Sequence, residues 1–198
     1  FGPGFFNIQA AVAAGPDTLF SDSFGIAQSD TVTGWAEHEP IAHPKWAQIN
    51  INDPLLTSST TGNLQLTEGA STTQSSISTL GYENIKVSYY FRGDVDAEPS
   101  DTLKFYAKKS SNVNFGNAKK THAIGTSTAS TTIDWTFVEV SLASFANNSS
   151  IDLRFSGNSS HEREQARVDD VVVTGVKIEE VPDPEPEPAQ CIPGQELI

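Results

Sequence analysis

Apolar side chains recur at every second position along much of the chain. In residues 83–94, Ile85, Val87, Tyr89 and Phe91 alternate with Lys86, Ser88, Tyr90 and Arg92. In residues 101–110, Leu103, Phe105 and Ala107 alternate with Lys104, Tyr106 and Lys108. A period of two sends successive side chains to opposite faces of a β-strand, so each run predicts a strand with one buried face. Further runs of this type lie at 45–51, 62–68, 71–79, 135–142, 150–157 and 166–178, separated by clusters of Ser, Thr, Gly, Asn and Asp. No window holds helical spacing for three turns. Many short strands with turn residues between them predict an all-β fold, an antiparallel sandwich or barrel.

The last run, "ARVDDVVVTGVKI" (166–178), contains a conflict. Strict alternation puts one of Asp169 and Asp170 with Val168 and Val172, and the other with Val171 and Val173. A carboxylate on a covered face must be hydrogen-bonded, paired with a cation or bound to a metal. Arg167 points away from Asp170 on a regular strand. "LFSDSFG" (19–25) supplies Asp22 on the predicted first strand. If the first and last strands are neighbours, Asp22 approaches Asp169 or Asp170, and calcium would suit such a group of oxygens. The alternative is a bulge that turns one Asp to solvent.

Three zones follow from composition. Residues 1–16 are an apolar Gly/Ala-rich arm, 17–180 hold the strand pattern, and 181–198, "VPDPEPEPAQCIPGQELI", begin as an extended Pro/Glu spacer. The arm has the small residues of a signal peptide but no basic start. A chain that begins at Phe1 and contains no Met reads as a processed protein or a fragment. The net charge of −13 argues against a nucleic-acid backbone or an anionic membrane surface as partner. No apolar run is long enough to cross a membrane as a helix. Cys191, the single cysteine, lies in the tail, so no disulfide staples the domain.

Catalytic motifs are mostly absent from the sequence, and nothing in it points to an enzyme. "HEPIAH" (38–43) spaces its histidines five apart around Pro40, which cannot put both on one helical face for zinc. Glu139 lies in a predicted strand without a second acid in glycosidase spacing. The aromatic residues carry more. Tyr90 and Tyr106 fall on the polar phase of their strands, where a ring faces solvent and can stack on a sugar. Trp46 is a third ligand-binding candidate. Asn147, Asn148 and Asn158 stand in N-glycosylation sequons.

The segments "LFSDSFG…TGW", "ENIKVSYYFRG" and "DWTFVEVSL…SSIDLRFSGN…ARVDDVVVTG" resemble extracellular jelly-roll modules. Similar segments occur in cleaved-adhesin and choice-of-anchor modules, in MAM domains and in carbohydrate-binding modules of families 4 and 22. The resemblance spans about residues 18–178. It implies a jelly-roll β-sandwich and an extracellular or cell-surface location. It also implies a structural calcium at Asp169, with an acid from the first strand, here Asp22, beside it. The expected function is a non-catalytic binding or adhesion module for glycans or surface proteins. One alternative is a structural subunit of a filament or matrix, polymerising through residues 1–16. Another is an accessory domain of a larger secreted hydrolase or nuclease.

Overall fold

The structure, a computed structural model, describes residues 15–24, 34–38, 47–50, 62–94, 96–126, 133–161 and 163–179. Trp46, His43, Cys191, nearly all of the arm 1–16 and the tail from 180 lie outside the described residues, and with them the readings placed there. Eleven strands are seen among the described residues. They are β1 (Asp17–Asp22), β2 (Ala36–His38), β3 (Ala47–Asn50), β4 (Asn63–Leu66), β5 (Ser71–Ile77) and β6 (Tyr82–Gly93), then β7 (Thr102–Lys109), β8 (Lys120–Ala123), β9 (Ile133–Ser141), β10 (Ile151–Asn158) and β11 (Ala166–Lys177). A single 3-10 turn, Ala143–Phe145, links β9 to β10.

All pairings are antiparallel and form two sheets. Sheet A runs β3-β4-β11-β6-β9, with β1 also on β11; sheet B runs β2-β5-β10-β7-β8. The chain is an all-β jelly-roll sandwich, and the period-two runs are its strands. Their apolar phases meet between the sheets. Ile85, Val87, Tyr89 and Phe91 of β6 are buried against Leu103, Phe105 and Ala107 of β7 and Leu153 and Phe155 of β10 in one core. Aromatic rings bridge the layers: Tyr89 lies 5.5 Å from Phe105 and 4.9 Å from Phe155 between ring centroids. Trp35 extends the group to Phe155, Phe24 and Phe20. At the end of β6 the backbone of the β8 side comes so close that a Cβ on Gly93 would sit 1.6 Å from the Ile124 carbonyl oxygen. Only glycine fits there.

Strand β11 holds the middle of sheet A, and its two edges are used differently. One edge pairs with β6 over almost its whole length. The other is shared: β4 lies along residues 166–168 and β1 along residues 171–175. Asp169 and Asp170 stand where one partner gives way to the other.

Alternation through this stretch is broken, which corrects the strict reading of the sequence. Asp169 is opposite Tyr90 and Val172 is opposite Ser88, so Asp170 and Val171 together face Tyr89 alone. That is a β-bulge, with Asp170 in the left-handed region at φ 48°. A short polar side chain tolerates this conformation better than a β-branched one. The inserted residue shifts the phase, so Val168, Val171 and Val173 all reach the core.

Candidate functional site

The end of β1 and the start of β4 converge on the bulge. Asp22 closes β1 opposite Val171, and Asn63 opens β4 next to Leu64, the partner of Val168. Asp169 is buried, 3% exposed, and its Oδ1 accepts a 2.8 Å hydrogen bond from the Asp170 N–H. Burial pushes its carboxyl up to about 7; the Asp170 N–H opposes that, and the charges of Asp170 and Asp22 add to it. Asp22 is held in place, with Oδ1 accepting from the Phe24 N–H at 2.7 Å and Oδ2 from the Trp35 indole at 2.8 Å. Asn63, 2% exposed, keeps a buried Oδ1 with no hydrogen-bond partner.

An open depression of about 460 Å³ lies outside this corner, lined by Ser21, Asp22, Ser23 and Asp170 together with Tyr90 and Phe137. Asp22 and Asp170 thus share this depression, and Asp169 is near enough to feel the charge of both. Their oxygens and the orphan amide oxygen are the hard donors that calcium takes. Among the described residues no three acids or histidines form a metal-holding group by themselves. Carbonyls, amides or water would have to complete the shell.

The two predicted binding tyrosines fall on opposite sides of the sandwich. Tyr90, half-buried on sheet A, packs 5.3 Å from Phe137, which is 56% exposed. Tyr106 stands on the outer face of sheet B, across the ladder from Arg154, which is itself opposite Thr73. The neighbouring row sets Lys104 opposite Ser156, and Ser156 opposite Ser71.

The turn 110–119 folds back over this face and lays Phe115 on it. Its ring is edge-on to Tyr106 at 6.3 Å, with the Arg154 guanidinium at 4.2 Å and the Lys108 ammonium at 5.2 Å from its centroid. Arg154 Nε donates to Thr73 Oγ1 at 3.1 Å, while Lys108 pairs with Asp152 at 3.2 Å. Partial burial lowers the Arg154 pKa and, with the Arg154 charge, that of His38 on β2. The result is two rings and a guanidinium walled by a turn, an arrangement that can stack on a sugar and bond its oxygens.

Arg154, Phe115 and Asn63 were not singled out in the sequence. Arg154 lies on the polar phase of its run, but only strand pairing puts it beside Tyr106. Phe115 is an aromatic in an Asn/Gly turn, a weak signal that its flanking lysines strengthen. Asn63 carries no signal.

Other polar groups are occupied structurally. Asn147 Oδ1 accepts from Gly81 N–H and Asn148 Nδ2 donates to the Ala146 carbonyl, so both sequon residues brace the turn before β10. Asn158 is exposed at the end of β10. Glu139 pairs with Lys86 on the surface at 2.7 Å. Asp101 and Glu164, both buried, face inward and cap turns: Asp101 accepts from Glu98 N–H, and Glu164 from the Ser160 N–H and hydroxyl.

No family model and no curated protein matches the sequence. Solved structures do match it in fold. The K3 cleaved adhesin domain of Lys-gingipain from Porphyromonas gingivalis W83 superposes with a TM-score of 0.58 at 14% identity, over 81% of this chain and 99% of that one. The chain is a β-sandwich similar to cleaved-adhesin and family 22 carbohydrate-binding modules. The tandem CBM22-1-CBM22-2 domain of Paenibacillus barcinonensis Xyn10C gives 0.51 at 15% identity, over 84% of this chain and 49% of that one. The CBM22-1-GH10 modules of Clostridium thermocellum Xyn10B, complexed with xylohexaose, give 0.50 at 12%, over 83% and 29%. At these identities the likeness is one of fold.

Proposed function

We propose that this chain is a non-catalytic extracellular binding module that takes a saccharide on the outer face of sheet B. The observation that carries the reading is the Tyr106–Phe115–Arg154 group, two rings and a cation, each half-buried, on the outer face of sheet B beneath a turn. Sugar rings present C–H faces to aromatic rings and hydroxyls to charged donors, and this face offers both. Similarity in fold to adhesin modules and to modules crystallised with xylohexaose supports it.

Tyr106→Ala removes one ring from the surface while leaving the core phase of β7 intact. It is expected to weaken glycan binding about 5- to 10-fold, the scale of one aromatic contact. A glycan array probed with both proteins checks this. Signals that Tyr106→Ala leaves unchanged, or no signal for the wild type on any glycan, would contradict the proposal.

The same reading includes a structural cation at the bulge, held by Asp169 with Asp170, Asp22 and the Asn63 amide oxygen as candidate partners. Its support is a buried carboxyl that feels the charges of two other acids, and an orphan buried oxygen at the start of the neighbouring strand β4. The cation would offset the repulsion and join β1, β4 and β11 where their pairing changes. It takes no part in chemistry on a ligand.

A further inference from the structure

We infer that the saccharide taken by the outer face of sheet B is anionic, a polysaccharide bearing carboxylates or sulfates, with Arg154 as the seat of its charge. This rests on the binding face proposed above and adds the class of ligand.

The chain carries 25 acidic and 12 basic residues, yet charge is unevenly placed. From Thr102 to Ile133 there is no Asp or Glu, while Lys104, Lys108, Lys109, Lys119 and Lys120 all fall there. Elsewhere on the described surface Lys86 pairs with Glu139 and Arg167 with Asp94, while Arg163 and Lys177 stand singly rather than in a group. On β7 only Lys108 has such a partner among the described residues, Asp152. Lys104, Lys109, Lys119 and Lys120 form no ion pair with any described residue. Lys119 instead lies over the Phe145 ring at 5.2 Å, and with Lys108, Lys109 and Phe115 it lines a second open depression of about 440 Å³.

Arg154 is the decisive group. It is half-buried, stacked on Phe115, and its one side-chain hydrogen bond among the described residues, to the neutral Thr73 hydroxyl, uses Nε. A guanidinium has five N–H donors in a planar fork that matches a carboxylate or sulfate. In an acid-rich protein a partly desolvated arginine with no carboxylate partner among the described residues is suited to an anion from outside. Nucleic acid fits less well, because its dense charge would meet the acidic remainder of the molecule. An acidic sugar polymer places its charges sparsely and still presents faces for Tyr106 and Phe115.

The test is affinity electrophoresis of the whole chain through gels containing polygalacturonate, dextran sulfate or neutral xylan, with duplex DNA as a further arm. Retardation by an acidic glycan about 10-fold stronger than by xylan is expected at low salt, and it should fade at high salt. Arg154→Gln should abolish the preference, and Lys109→Gln with Lys119→Gln, both exposed, should reduce it if the Arg154 variant fails to fold. Preference for polygalacturonate or for dextran sulfate assigns the charge to carboxylate or sulfate. Equal retardation by xylan overturns the anionic inference and leaves the binding face standing. No retardation by any glycan overturns both, and DNA retarded as strongly as the acidic glycans overturns the choice of ligand.

Discussion

Calcium added to metal-stripped protein is expected to raise its melting temperature by about 5–10 °C, and Asp169→Asn to abolish the response. A ligand at about 100 times its dissociation constant stabilises the fold that binds it by about 2.7 kcal/mol. For a domain of this size that corresponds to several degrees. The effect arises because the bulge leaves a buried carboxyl among like charges, with a single N–H for support. Asparagine keeps the shape and that hydrogen bond and removes the charge that holds a cation. Thermal melts with calcium and with chelator check this on both proteins. A wild type indifferent to both would remove the cation and leave Asp169 as a buried acid whose carboxyl is pushed up by burial.

The second large effect concerns the core. Tyr89 Oη lies 2.8 Å from His122 Nε2, with the imidazole stacked on Phe91 at 4.1 Å. Burial, assisted by the Lys120 charge, pulls the His122 pKa down to about 4. Burial also raises that of Tyr89, so the phenol keeps its proton. The unfolded chain therefore binds a proton at His122 more readily than the folded one. The contribution is fully present above the ordinary histidine value of about 6.5 and is lost as pH falls through about 4. A shift of this size corresponds to about 3 kcal/mol.

His122→Gln cannot titrate and retains a polar group near Tyr89. Urea unfolding at neutral and acid pH, compared between wild type and this variant, is expected to show the wild type losing about 3 kcal/mol more on acidification. The comparison is needed because Asp169, whose carboxyl is pushed up, contributes in the opposite direction over the same range. Equal losses in the two proteins would mean that His122 is charged or exposed in the fold.

The strand pattern was legible because alternation is a local property. Ile85, Val87, Tyr89 and Phe91 needed only their own run to declare the core face of β6. The bulge at Asp170 was not legible as more than an alternative, since two-against-one pairing depends on the register of a distant strand. The pairing of Asp22 with the last strand could be foreseen from its place in the first strand and the family resemblance. Asn63 could not, because nothing local shows that β4 ends its pairing at Val168. Tyr90 and Tyr106 had the same signal, a ring on the polar phase, yet they belong to different sheets. What separates them is the surroundings: a cluster of serines and acids around one, Arg154 and the lysines around the other.

The central claim is that ligand binds on the outer face of sheet B. Mapping amide chemical shifts during titration with polygalacturonate, or with whichever glycan the array returns, tests it most directly. The expected result is that perturbations concentrate on residues 104–108, 115 and 152–156. Perturbations centred instead on residues 88–90, 137 and 170–172, at the opposite face, would contradict it.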